Sequence, residues 1–265
     1  MRILLTNDDG IHAPGIAALH EAMQGMGEIL VVAPADVQSA TSHGITFHTP
    51  LLVREVQVSP RMKGYAVEGR PADCVKLGIR RIWADLFGEG TRPDLVVSGM
   101  NSGANVGINV IYSGTVAAAV EAAFLGVPSI AVSLHMHQGG GKSEPHWQRA
   151  ASIARVALDR VVQHTIDPHT VINVNIPRTT KADAPIPPFR VVAMNTAAGI
   201  DNYEKRTAPH GQVYYWPNGN GMEFFHTREG SDVEALNAGF VTITPLQYDL
   251  TDHARTQGWR ERLES

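Results

Sequence analysis

The chain opens Met1-Arg2-Ile3-Leu4-Leu5-Thr6-Asn7-Asp8-Asp9-Gly10-Ile11-His12-Ala13-Pro14-Gly15-Ile16, and this stretch decides the fold class. Ile3, Leu4 and Leu5 form a continuous apolar run, the pattern of a strand buried on both faces of a parallel sheet. Asn7-Asp8-Asp9-Gly10 stops the run as a turn, since all four residue types favour turns. Pro14-Gly15 then introduces an amphipathic helix with Ile16, Leu19, Met23 and Met26 on its inner face. Strand, turn and helix make the first half of a βαβ unit. Sheets built this way bind ligands in the crevice outside the carboxyl ends of their strands, which is where Asp8 and Asp9 stand.

As an isolated tetrapeptide, Asn-Asp-Asp-Gly needs no explanation beyond the turn. Two adjacent carboxylates at a strand end repel each other, however, and require a neutralising partner. A hard divalent cation, Mg²⁺ or Mn²⁺, would supply it through oxygen ligands, provided that other segments send oxygen atoms to the same place.

The 265 residues suffice for one large α/β domain, or for one domain with an extension. A formal net charge of −4, with few and scattered basic residues, excludes a nucleic-acid-binding surface. Cys74 is the single cysteine, so no internal disulfide framework exists and a reducing compartment is expected. The chain passes directly from Met1 into a strand pattern, so no signal peptide is expected, and no apolar run is long enough to span a bilayer. These features lead to the expectation of a cytoplasmic protein with no membrane partner.

Further along, residues 29–34 read as a second buried strand, followed by the hydroxyl-rich loop Ala35-Asp36-Val37-Gln38-Ser39-Ala40-Thr41-Ser42-His43-Gly44. Ser39 lies about where a ligand at a strand end would sit, although a solvated loop serine is the plainer account. Residues 47–58 and 64–67 read as shorter strands, and residues 73–86 as a helix with Val75, Ile79, Ile82 and Trp83 at helical spacing. Residues 93–98 read as a third buried strand. It runs into Gly99-Met100-Asn101-Ser102-Gly103-Ala104-Asn105-Val106-Gly107, whose glycines do not match dinucleotide-fold spacing but would let a phosphate approach the backbone.

Val116 to Leu125 then reads as a helix with Ser113 as N-cap, Gly126 at C′ and Pro128 blocking continuation. Its alanines at 117, 118, 119, 122 and 123 fit a helix pressed against a sheet, and its N-terminus offers free N–H groups beside two hydroxyls. An ordinary capped helix accounts for the same residues. Residues 129–134 read as the fourth buried strand, and 135–145 as a mobile loop. Gly139-Gly140-Gly141-Lys142-Ser143 within that loop fails as a P-loop, because Met136 stands where the leading glycine belongs. Residues 146–164 read as a helix and 171–176 as a strand closing the α/β portion, residues 1–178. Residues 179–265 are Pro-rich and polar, with strand expectations at 189–194, 212–216 and 240–245 and a polar terminal helix at 252–263.

Several of these motifs recur together in one known family. Asn7-Asp8-Asp9-Gly10, the Ser39 loop, Ser98-Gly99-Met100-Asn101 and Tyr112-Ser113-Gly114-Thr115-Val116-Ala117-Ala118 occur in the order of the SurE family, which the chain resembles over nearly its whole length. Pro71-Ala72-Asp73-Cys74-Val75, Gly126-Val127-Pro128, Asn173-Val174-Asn175-Ile176-Pro177 and Phe240-Val241-Thr242-Ile243 continue the likeness. The resemblance implies a Rossmann-like three-layer α/β/α fold with a mostly parallel sheet and a β-rich C-terminal extension used in assembly. It implies hydrolysis of nucleoside 5′- and 3′-monophosphates with one divalent cation per subunit, Mg²⁺ or Mn²⁺.

By the same resemblance, Asp8, Asp9, Ser39 and Asn101 map onto metal ligands, and Asp8 and Asp9 are the catalytic residues. Asn101, Asn105, Ser113, Gly114 and Thr115 map onto the phosphate site. Gln38 stands where the family usually has arginine, and Arg70 where it commonly has threonine. A non-catalytic nucleotide sensor on the same fold is the alternative. The aromatic-rich extension leads to the expectation of a homodimer or homotetramer, with Tyr214, Tyr215, Trp216, Phe224 and Phe225 in the contacts.

Overall fold

The computed structural model describes residues 1–136, 144–199, 202–218 and 222–264. Most of the loop expected at 135–145 therefore lies outside the described residues.

The first strand, β1 (Arg2–Thr6), lies inside the sheet, paired on both sides. Ile3, Leu4 and Leu5 have no exposed surface, so the uninterrupted apolar run serves both faces of the sheet. The chain leaves β1 through α1 (Pro14–Ala22), returns as β2 (Glu28–Pro34), and forms the hairpin β3 (Val53–Ser59) and β4 (Met62–Val67). It then crosses back through α2 (Pro71–Leu77), a π-helical turn (Gly78–Ile82) and α3 (Trp83–Phe87) to β5 (Leu95–Ser102). A 3₁₀ segment (Gly107–Tyr112), α4 (Gly114–Phe124), β6 (Ser129–Leu134), α5 (Trp147–Val161) and β7 (Thr170–Ile176) follow.

Beyond residue 178 come β8 (Phe189–Val191), β9 (Tyr203–Thr207), β10 (Val213–Pro217), α6 (Asp232–Asn237), β11 (Val241–Gln247) and α7 (His253–Leu263). Nine strands form one sheet in the order β3-β4-β2-β1-β5-β6-β7-β11-β8. From β4 to β7 every pairing is parallel; β3 and β11 run antiparallel to their neighbours β4 and β7. β9 and β10 pair with each other as a separate antiparallel ribbon.

Two apolar layers cover the sheet. Ile16 and Leu19 on α1, with Met23 just past its end, pack with Ala150, Ile153, Ala154 and Leu158 on α5 over one face. On the other face, Val75, Ile79, Ile82 and Trp83 pack with Ala118 and Ala122 of α4 against Leu4, Val32 and Val96. The alanines let α4 lie close to the strands. This three-layer α/β/α arrangement with a β-rich C-terminal part is the expected architecture.

Several boundaries differ from expectation. Residues 47–52 are not strand: the chain bends at His48 and Thr49 ahead of Pro50, which has no N–H for a ladder, and Phe47 is exposed. The helix expected at 73–86 starts at Pro71, where a missing N–H costs nothing in the first turn. β9 and α6 were not expected at all. Phe224 packs in its own chain against Val106, Val233 and Leu236 and is not a free contact residue. No helix among the described residues is long and apolar enough to cross a membrane.

Candidate active site

On one side of β1 the sheet grows outward through β2 and β4, and on the other through β5, β6 and β7. The crevice at such a reversal is where open α/β sheets bind ligands. Asp8 and Asp9 follow β1 directly, and Asn101 lies near the carboxyl end of the adjacent β5. The third contribution comes from the loop after β2. The Gln38 N–H donates to the Asp8 carbonyl (2.8 Å), which brings the exposed Ser39 beside the end of β1. Three neighbouring strands thus deliver the four expected metal-ligand residues to one end of the sheet.

Asp8 is nearly buried, and its carboxylate meets the start of α4. The Thr115 hydroxyl donates to Asp8 Oδ1, and the Thr115 N–H points at the same carboxylate. Gly114 makes this approach feasible, because a Cβ there would lie 2.8 Å from Asp8 Cβ and 3.0 Å from its Oδ2. Burial pushes the Asp8 carboxyl from an ordinary 3.8 up to about 6; the Thr115 hydrogen bond opposes the rise, and the charge of Asp9 adds to it.

Asp9 Oδ2 accepts from the Ser102 N–H (2.8 Å), and burial raises this carboxyl as well, against that bond. No lysine, arginine or histidine pairs with either carboxylate among the described residues. Asp8 Oδ1 and Asp9 Oδ2 are thus each held in a protein hydrogen bond.

Asn101 donates its amide to the Gly103 carbonyl (2.7 Å), which turns Oδ1 away as an acceptor. Two carboxylates, an amide oxygen and a hydroxyl form an all-oxygen donor set, suited to a hard divalent cation and not to a thiolate-seeking one. Asn7 was not singled out from the sequence. It is fully buried beneath the acid pair, its amide donates to the Gly10 carbonyl (2.8 Å), and its Oδ1 has no partner. Its position immediately before the two aspartates was the available clue.

The remaining expected residues frame the crevice. Ser113 caps α4, its Oγ accepting from the Val116 N–H (3.1 Å). Asn105 is buried in an amide cluster: its N–H donates to Asn175 Oδ1 (2.8 Å), its side-chain amide donates to Ser133 Oγ (2.8 Å), and its carbonyl accepts from Asn173 (2.8 Å) and Asn175 (3.0 Å). That network fastens the loop after β5 to β6 and β7.

The Ser39 loop is pinned from several directions. Ser42 bonds the carbonyls of Ile111 (2.8 Å) and Tyr112 (3.1 Å), and Thr46 makes two hydrogen bonds to Asp73. His43 pairs with the buried Glu121 of α4 (2.9 Å), which also holds Lys76 (3.2 Å). Burial works to raise the Glu121 carboxyl, but His43 and Lys76 outweigh it and hold the group below its usual range.

The family model for survival protein SurE matches residues 3–198, a span that contains every residue of this crevice. The chain belongs to the SurE family. A SurE relative from Heliobacterium modesticaldum, named a 5′-nucleotidase, is 42% identical over 258 residues, covering 97% of this chain and 90% of its own length. Another from Rhodopirellula baltica, with the same name, is 44% identical over 252 residues, covering 95% and 94%. Among solved structures, the SurE protein of Aquifex aeolicus superposes with a TM-score of 0.82 at 35% identity, covering all of both chains. The SurE likeness therefore extends from the α/β core through the strands beyond residue 178.

Proposed function

We propose that this protein is a 5′-nucleotidase that hydrolyses nucleoside 5′-monophosphates, and 3′-monophosphates, with one Mg²⁺ or Mn²⁺ per subunit. The observation that carries the reading is the Asp8–Asp9 pair. Both carboxyls are raised by burial, they stand side by side at the switch point of the sheet, and among the described residues no basic side chain pairs with them. Relatives of more than 40% identity over nearly the full chain carry the name 5′-nucleotidase.

Asp8, Asp9, Ser39 and Asn101 would hold the cation. When bound, it supplies Lewis acidity toward a phosphoryl oxygen and lowers the pKa of a bound water. The chain does the rest. Thr115 and Gly114 fix Asp8 against α4, so that its second oxygen keeps one orientation. Ser102 does the same for Asp9. The N-terminus of α4, from Ser113 to Thr115, would receive the phosphate, since helix N–H groups favour negative charge, while Asn105, its amide engaged with Ser133, would hold the loop after β5 beside it.

The exposed hairpin of β9 and β10 supports assembly into at least a homodimer, and a lone buried thiol fits the cytoplasm. Phosphate release from AMP in the presence of Mn²⁺, abolished by EDTA and restored by excess Mn²⁺, tests the reading. Nucleotide binding without phosphate release under any divalent cation would leave a sensor instead.

A further inference from the structure

Asp9 has a second neighbourhood. On the α1 and α5 side of the sheet it borders a cavity of about 510 Å³ lined by His12, Pro14, Asp36, Val37, Ser102 and Trp147, among others. Asp8 turns the other way, to α4, so the acid pair stands between the start of α4 and this cavity. The volume falls within the roughly 300–1,000 Å³ of small-molecule sites.

Two features give the cavity a chemical character. Asp36 follows the end of β2, the strand beside β1. In the dinucleotide-binding members of the doubly wound class an acid near this place accepts a hydrogen bond from a ribose hydroxyl, and Asp36 stands at the corresponding strand end although the glycine spacing differs. Trp147 is the first residue of α5 and is partly buried against the core. A Cβ on Gly15 would lie 2.0 Å from the Met100 carbonyl oxygen and 3.0 Å from the Trp147 ring, so the absence of a side chain there leaves room for β5 and the indole beside α1. A half-buried indole facing a cavity is a stacking surface for a heterocycle.

We propose that this cavity is the ribonucleoside subsite, with the Asp36 carboxylate accepting from the ribose 2′- and 3′-hydroxyls and the Trp147 indole lying against the base. The proposal rests on the nucleotidase reading and deepens it. A carboxylate facing a cis-diol accepts two charge-assisted hydrogen bonds, of which a 2′-deoxyribose retains one and a 3′-phosphate blocks one. The subsite therefore favours ribonucleoside 5′-monophosphates over both their deoxy and their 3′-phosphorylated counterparts.

The test compares AMP, 2′-deoxy-AMP and ribose 5-phosphate as substrates of the full chain with Mn²⁺. The native protein is expected to have a kcat/KM for AMP about tenfold above that for 2′-deoxy-AMP, and Asp36→Ala to bring the ratio close to one. Asp36 is exposed, so this variant keeps its fold. Trp147→Ala is expected to shrink the preference for AMP over ribose 5-phosphate about tenfold while the ribose-to-deoxyribose ratio persists. Because Trp147 also packs on the core, Trp147→Leu accompanies it as a variant that keeps the volume. An Asp36→Ala enzyme with the native ribose-to-deoxyribose ratio, or a native enzyme with none, overturns the proposal. Should no monophosphate be hydrolysed at all, the nucleotidase reading has failed. Adenosine then decides the subsite alone: quenching of tryptophan fluorescence that weakens about tenfold in Asp36→Ala supports it, and equal quenching in both proteins overturns it.

Discussion

The hydroxyl of Thr115, fully buried at the start of α4, donates to the carboxylate of Asp8 at the end of β1. A helix N-terminus thus stabilises an anion that belongs to the protein, and does so inside the crevice. Thr115→Val preserves shape and removes the donor, leaving the charged form of Asp8 poorly satisfied. We expect a loss of about 1.5–3 kcal/mol in urea unfolding at pH 8 and a much smaller one at pH 5, where the Asp8 carboxyl is largely protonated. An equal loss at both values would mean that the methyl packing, and not the hydrogen bond, was changed.

The pH dependence of the metal-free protein follows from Asp8 itself. Its folded-state pKa, about 6, lies above the ordinary 3.8, so the fold binds the proton more tightly than the unfolded chain does. That stabilisation is complete below the ordinary value and is lost as pH rises through about 6, a change of about 3 kcal/mol for the full shift. With EDTA present, stability should therefore fall between pH 4 and pH 7, as measured by denaturant midpoints. Asp8→Asn should flatten this slope and unfold later than the native chain at pH 7.5, while turnover drops by orders of magnitude. Saturating Mn²⁺ should raise the native midpoint and leave that of Asp8→Asn nearly in place.

How much of this could be read in the sequence depended on what each residue buries. Residues 3–5 and 129–134 show themselves as strands because both faces are covered, so the apolar run is unbroken. β9 carries Glu204, Lys205 and Arg206, is exposed along its whole length, and so offers no alternation to detect. The acid pair was legible as a turn with too much charge. Its partner Thr115 was not, because the two are 107 positions apart and only the packing of α4 beside β1 joins them. Asp36 and Trp147 belong to the same class, each unremarkable alone and meaningful through a shared cavity.

Gly114→Ala tests the geometry without removing a polar group. Alanine is the better helix former, so α4 itself should not weaken. The added Cβ would sit 2.8 Å from Asp8 Cβ, and one of the two must move. Displacing a reacting group by about 1 Å can cost on the order of a hundredfold in rate. We expect such a loss in kcat with a melting temperature within a few degrees of native. Native turnover would show that Asp8 tolerates displacement.

Glu121→Gln addresses the loop that carries Ser39. The substitution keeps the size of the side chain and removes the charge that joins His43 (2.9 Å) and Lys76 (3.2 Å). Since Lys76 is half exposed, we expect a modest destabilisation of about 1–2 kcal/mol. The larger effect should be local, with faster proteolysis between residues 36 and 46 and about tenfold weaker Mn²⁺ binding by titration calorimetry. Unchanged Mn²⁺ affinity would show that the bonds from Ser42 and Thr46 hold the loop unaided.

The β9–β10 hairpin carries the prediction about assembly. Every residue of both strands is exposed, including Tyr203, Tyr214, Tyr215 and Trp216, the last three in consecutive positions. A two-stranded ribbon is marginally stable by itself in water, and this one joins neither the main sheet nor an apolar layer of its own chain. Large aromatic side chains held in solvent on both faces of such a ribbon mark a contact surface. Phe224 is excluded from it, being packed against Val106 and Val233, whereas the neighbouring Phe225 is exposed and extends the surface beyond the hairpin. Light scattering at micromolar concentration should return at least a dimer. The triple variant Tyr214→Ser, Tyr215→Ser, Trp216→Ser should shift the mass toward the monomer while Mn²⁺ binding persists, because the acid pair, Ser39 and Asn101 all come from the α/β core. A native chain that scatters as a monomer would refute assembly outright. A triple variant that stays oligomeric would move the interface elsewhere, the exposed α7 being the next surface to alter.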